Sequence, residues 1–168
     1  MDFIKLSAER YSVRSFDDRP ISDEHMKILL RAAVLAPTGC NYQPQRINVV
    51  QSEEKLREIS RCTFGAKTVL VFTYDVTEDW KNPLEKGVHS GEQDVSIAAS
   101  HVMLQAWELG IGTCWVNYFS NSRLEKELGL PENERSVLIM PIGYPSPDAS
   151  PLPMHSEYKA VEEIVKFI

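Results

Sequence analysis

A chain of 168 residues, 43% of them hydrophobic and 25% charged, has enough apolar material for one domain with a real core and too little length for two of ordinary size. Its formal net charge of -6 excludes a binder that works by neutralising a nucleic-acid backbone, and leaves room for small anionic ligands held by local basic clusters. No run reaches the length of a membrane span and the leading MDFIKLSAER lacks the apolar core of a signal peptide, so neither nucleic acid nor membrane is an expected partner and the expected location is cytoplasmic.

Residues 2 to about 10 place Phe3, Ile4 and Leu6 among polar neighbours and predict a short helix. It leads into Arg10-Tyr11-Ser12-Val13-Arg14-Ser15-Phe16, where two guanidinium forks and a hydroxyl fall within five residues. Such a segment can hold a phosphate. The plainer alternative is that Arg10 and Arg14, four apart, form a solvated helix face with aromatic neighbours in the core. After Pro20, Ser22 is a plausible N-cap, followed by Asp23 and Glu24 where the helix dipole favours negative charge. The helix that follows has a face of His25, Ile28, Leu29, Ala32, Ala33, Leu35 and Ala36, and Pro37 ends it.

Pro37 to Pro44 has breakers at both ends and a glycine, and reads as a loop whose Thr, Asn and Gln groups can meet a polar ring edge. Ile47 to Val50 is a short strand, Ser52 caps a helix of about eight residues, and Lys67 to Tyr74 is a strand buried on both faces at the centre of a sheet. A polar stretch from Val76 to about Gly91 reads as a surface loop in which Trp80 either covers a pocket or anchors the loop. From about Gln93 to Leu109 the apolar residues fall on nearly every side of a helix, which predicts burial all round with help from a second subunit. Gly110 ends it, and Ile111 to Phe119 reads as an apolar strand. Ser120 caps a short helix to Leu128, and Ser136 to Ile142 is a further strand. Residues 146 to 153 form an extended arm, and Val161, Ile164, Val165 and Ile168 suit a terminal helix or a short strand.

Cys40, Cys62 and Cys114 are odd in number and widely spaced, and read as reduced thiols. His25, His89, His101 and His155 are scattered without ligand spacing, so no metal site is expected. A thiol enzyme built on Cys40 is disfavoured because no histidine lies close to it in sequence.

Three segments together resemble the FMN-dependent nitroreductase family. Arg10 to Phe16 resembles its R-x-S-x-R/K-x-F motif, Ala36 to Pro44 its A-P-S/T-x-x-N-x-Q-P loop, and Leu109 to Trp115 its L-G-L/I-G-x-x-W turn, in matching order over essentially the whole chain. The resemblance implies a single domain over residues 1–168 of α+β class, with a mixed, mainly antiparallel sheet flanked by helices. It also implies an intertwined homodimer with FMN at the subunit interface and the arm 146–168 packed on the partner. Arg10 and Ser12, with the intervening Tyr11, would hold the FMN phosphate, with Lys159 completing the site, and Arg14 would lie near the pyrimidine side of the flavin. Pro37, Thr38, Gly39, Asn41 and Gln43 would form the loop that reaches the flavin of the other protomer, and Trp115, Val116 and Asn117 would lie along the ring.

The implied activity is a ping-pong transfer of hydride from NADH or NADPH, through flavin N5, to nitroaromatic, quinone or related small acceptors. The cofactor carries the chemistry, so no catalytic side chain is expected beyond those that bind and tune it. A cation near the ring, here Arg14, would stabilise the negative charge that reduction leaves. The chain departs from the family pattern at Gln45, where many relatives have Trp, at Glu157, where some have a second basic residue, and at Asn117-Tyr118 beside the flavin. These departures keep two alternatives open: a flavin-binding protein with little turnover, and another reduction, of an enone or a halogenated aromatic, on the same scaffold.

Overall fold

A four-stranded antiparallel sheet carries the fold, and at its centre is the apolar run that begins at Thr68. In the computed structural model, which describes every residue except Met1 and Ser60, the strands are β1 (Gln45–Val50), β2 (Thr68–Asp75), β3 (Gly112–Thr113) and β4 (Glu134–Gly143), in the order β1-β2-β4-β3. Every residue of β2 is buried. The alternation of the strand explains this. Leu70, Phe72 and Tyr74 join a layer built on α2 (Asp23–Val34) and α4 (Gly91–Glu108), while Val69 and Val71 join one built on α3 (Glu53–Ile59) and α5 (Asn121–Leu128). The expected α+β class is therefore present. Pairings between named strands are all antiparallel, and a parallel element enters as an isolated bridge between Ser12 and Thr113.

The helix signals hold where caps are strong. Asp2 accepts the Lys5 amide at 3.1 Å to open α1 (Phe3–Glu9), and Ser22 accepts the His25 amide at 3.1 Å to open α2. Leu29, Ala33 and Ala36 reach the core, whereas Ile28, Val34 and Leu35 of the same region stay exposed.

One expectation is met as far as a single chain can meet it, and one changes. Within one chain the helix α4 is covered at Val95, Ala98, Ala99, Val102 and Ala106, but Ile97 is exposed and His101 and Leu104 are half-buried, which leaves the cover expected from a second subunit to be supplied. That outer side opens into an apolar groove of about 530 Å³, floored by Leu6, Ile28, Leu35 and Leu104. Ile111 to Phe119 is not one continuous strand. Cys114 lies level with Pro141, to whose carbonyl it donates at 3.2 Å, but Pro141 has no N–H to return. The ladder therefore lapses after Thr113 and resumes as a single reciprocal pair between Val116 and Ile139, at 3.0 Å in both directions.

The chain from Ser146 onward runs outside both layers. Its last regular element is one turn, α6 (Val161–Ile164), so the terminal apolar spacing resolves as helix rather than strand. Val161, Ile164, Val165 and Phe167 are all exposed, Phe167 to 95%.

Candidate functional site

The Arg10 to Phe16 segment is extended, which removes the reading of Arg10 and Arg14 as a solvated helix face. Arg10 closes α1 with extended backbone angles, and the chain then lies along the open edge of β3. Val13 donates to the Thr113 carbonyl at 2.9 Å and Ser12 bridges Thr113. This close approach needs a glycine at 112: a β-carbon there would stand 2.6 Å from a Val13 methyl. Further on, Ser15 accepts the Ser146 amide at 3.1 Å and Phe16 bridges Pro145, so both ends of the segment are fixed.

Fixing the backbone leaves the cations available. Among the described residues no carboxylate pairs with Arg10 or Arg14, and the polar contact made by the Arg14 guanidinium is to the Ser12 carbonyl at 3.0 Å. Two guanidinium groups and a hydroxyl without a carboxylate partner, in a chain of net charge -6, are a donor set that could hold an anion. Tyr11 is engaged with the fold: its ring meets Trp107 edge-on at 5.1 Å and its hydroxyl donates to the Ala149 carbonyl at 3.3 Å. Beneath the segment Cys114 is 2% exposed. Burial pushes its thiol pKa up, and Arg14, the Ser12 hydroxyl and Arg10 act the other way, as expected where these three groups crowd around it.

The stretch after Cys114 presents backbone. Val116 bonds inward to Ile139 and its side chain is buried in the layer beneath. Antiparallel geometry then turns the amides of Trp115 and Asn117 outward, and among the described residues neither has an acceptor. Asn117 accepts from the Trp115 indole at 2.6 Å and donates to the Val137 carbonyl at 2.9 Å, which locks the indole in place. The edge offers two amide donors and one ordered aromatic ring. Tyr118, 83% exposed, follows directly.

The Pro37 to Pro44 loop is held in an uncommon shape. Cys40, Asn41 and Gln43 have φ of 48°, 58° and 55°, left-handed values that cost a non-glycine residue about 1–2 kcal/mol each. Several contacts enforce it. The Thr38 hydroxyl accepts the Gln43 amide at 3.1 Å, Gln43 donates through its side chain to Asn41 at 3.0 Å, and Arg46 donates to the carbonyls of Gln43, Pro44 and Gln45, each at 3.2 Å. Gly39 donates to Asp94 at 2.9 Å, and a β-carbon on it would stand 2.9 Å from the β-carbon of the half-buried Trp80, so Trp80 lies against the loop. Asn41 and Gln43 stay exposed, as does Pro37.

These two groups of residues do not meet within one chain. The loop joins the first turn of α4 through Asp94, and the basic segment joins the turn that follows its last residue, Glu108. At 1.5 Å per residue the two attachments stand roughly 20 Å apart. Lys159 is exposed on the arm, beyond the points at which the arm meets the basic segment: Ser146 on Ser15, Ala149 on the Tyr11 hydroxyl, and the His155 ring 6.1 Å from that of Tyr11. The flavin implied by the resemblance fits the residues present at the first group: a cation pair and hydroxyl for a phosphate, and outward amides with an ordered indole for a planar ring.

Sequence reasoning missed Arg46 and Asp94 as supports of the loop. For Asp94 a signal existed, since it is an acidic residue next to Val95 on the apolar side of a helix and is buried with it.

Comparison with known proteins identifies the family and the fold. The family model described as "Nitroreductase family" matches residues 8–64 and 60–144. A protein of Archaeoglobus fulgidus, provisionally named an NADH dehydrogenase/NAD(P)H nitroreductase, is 35% identical over 152 residues, 84% of each chain. The crystal structure of a nitroreductase family protein from Clostridium difficile 630 superposes with a TM-score of 0.90 at 34% identity, covering 99% of this chain and 98% of the other. An FMN-dependent nitroreductase from Clostridium difficile R20291 superposes with a TM-score of 0.80 at 26% identity, covering 98% of both chains.

Proposed function

Since the chain belongs to the nitroreductase family, we propose that it is an FMN-dependent NAD(P)H oxidoreductase working as a homodimer, and that it reduces nitroaromatic, quinone or related small acceptors by a ping-pong mechanism. The observation that carries this reading is the meeting of Arg10 to Arg14 with the Gly112 to Asn117 edge. That meeting sets unpaired cations beside outward amides. FMN held at this site would supply the redox chemistry, hydride exchange at its N5 atom with a nicotinamide and with the acceptor.

The residues of this chain bind, orient and tune. Arg10 and the Ser12 hydroxyl take the phosphate, with Lys159 as a further cation. Two residues along the parallel register set by Ser12 and Thr113, Arg14 comes level with Trp115, where its charge would stabilise the negative charge that reduction leaves on a flavin. The outward amides of Trp115 and Asn117 would donate to acceptor atoms of a flavin ring. No side chain need shuttle a proton through a dyad, in keeping with the absence of one from the sequence.

The separation of the two groups along α4 supports a homodimer. The Thr38, Gly39 and Asn41 loop of one protomer would complete the site built on Arg10 of its partner. The open groove beside α1, α2 and α4 and the exposed arm give such a dimer apolar surface to bury. With both nucleotide and quinone varied, initial rates should give parallel double-reciprocal lines. Intersecting lines would rule out the ping-pong order, and bound flavin without nucleotide oxidation would favour a flavin-binding protein instead.

A further inference from the structure

We propose that Asp94 is a positioning residue for the cofactor loop: from the first turn of α4 its carboxylate fastens the Gly39 amide and so keeps Thr38, Gly39 and Asn41 in the conformation that meets a flavin. The inference rests on the reading of that loop as an FMN contact. Asp94 is 2% exposed. One carboxylate oxygen accepts the Gly39 N–H at 2.9 Å, and the other accepts the Ser90 hydroxyl at 2.7 Å. Ser90 in turn donates its amide to the Trp80 carbonyl at 3.0 Å.

The loop is seated against this cluster without slack. A β-carbon on Gly39 would stand 2.9 Å from both the Ser90 hydroxyl oxygen and the Trp80 β-carbon. Asp94 therefore holds the loop at Gly39, two residues before Asn41 and one before the left-handed Cys40, while Arg46 and the Asp75 amide hold its far end at Gln43 and Pro44.

Burying a carboxylate is costly unless its lone pairs are met by donors. Among the described residues no Lys or Arg pairs with Asp94, so its charge is balanced by the Gly39 and Ser90 donors and by the N-terminal end of α4. Its neighbour Val95 and the following Ala98 and Ala99 are fully buried, and an apolar residue at 94 would extend that surface. What the carboxylate adds over such a residue is the hold on Gly39. The left-handed residues Cys40, Asn41 and Gln43 persist only where the surroundings over-determine them, and without that hold the loop can relax.

Asp94→Ala and Asp94→Asn in the full-length chain test this by amide hydrogen exchange at Gly39 in the flavin-free protein and by FMN titration. In Asp94→Ala, exchange at Gly39 should rise about tenfold or more and FMN affinity should fall about tenfold, with protection at Leu70 to Phe72 unchanged. Asp94→Asn keeps an oxygen facing Gly39 and should return both readouts to within about threefold of the parent. If the alanine variant does not fold, Asp94→Ser, polar but too short to reach Gly39, replaces it with the same expectation. Unchanged Gly39 exchange in the alanine or serine variant would overturn the proposal. So would an asparagine variant as impaired as alanine. If the parent itself binds no FMN, the cofactor reading fails, while Gly39 exchange still decides whether Asp94 holds the loop.

Discussion

Val13 occupies the space that a side chain on Gly112 would need, and a β-carbon at 112 would meet three Val13 carbons at 2.6 to 2.9 Å. The contact joins the N-terminal basic segment to the turn after α4. Gly112→Ala should therefore destabilise the protein by about 1–3 kcal/mol through overpacking. At this chain length that lowers the melting temperature by about 2–4 °C per kcal/mol. Adding Val13→Ala should return part of the loss, so that thermal denaturation of the double variant shows less destabilisation than the sum of the single ones.

If Arg10 holds the FMN phosphate as proposed, its replacement should discriminate between flavins. Arg10→Ala should weaken FMN binding by about tenfold to a hundredfold, the range for a lost charge-assisted hydrogen bond. Riboflavin, which has no phosphate, should bind the parent and the variant alike. Fluorescence titration of both ligands measures this, and equal losses would place Arg10 elsewhere in the site.

Asp75 ties the end of β2 to its neighbours and makes stability fall in acid. Thr77 donates its hydroxyl and amide to one Asp75 oxygen at 2.6 and 2.8 Å, and Asn133 donates to the other at 2.6 Å. These bonds, those from Thr77 foremost, hold the carboxyl pKa below its ordinary value. A pKa depressed in the folded state means that the unfolded chain binds more protons in this range, so stability rises with pH. The contribution is present above the unfolded carboxylate value of about 4 and fades as pH falls through the folded one. Urea midpoints should show Asp75→Asn less stable than the parent at neutral pH, with the gap closing in acid.

The exposed arm predicts the oligomeric state. The protein should elute at twice its 19.1 kDa chain mass. Ile164→Asp or Phe167→Asp, at side chains exposed in the single chain, should shift it towards monomer and release FMN in parallel. Elution of the parent as a monomer with FMN bound would separate the site from the dimer.

Much of this arrangement was legible before folding, and the exceptions have physical causes. The run Val69 to Phe72 announces a strand covered on both sides because no polar residue interrupts it, and Ser22 announces a helix start through its hydroxyl. The break after Thr113 was not legible, because it depends on Pro141 lying opposite Cys114, a pairing between residues far apart in sequence. The extended course of Arg10 to Phe16 was ambiguous for a similar reason: i,i+4 spacing allows a helix, and only the edge of β3 decides against it. Residue types identified the Pro37 to Pro44 loop, but its left-handed turns are held in part by contacts from Arg46 and Asp94, which lie outside the motif.

The visible spectrum of the protein with FMN, followed without oxygen as NADH and then NADPH are added, is the most direct test of the proposed flavin-mediated oxidation of NAD(P)H. The flavin band should bleach with at least one nucleotide and return when a quinone is supplied. A protein that takes up no FMN from excess, or whose bound flavin keeps its band in the presence of both nucleotides, would contradict it.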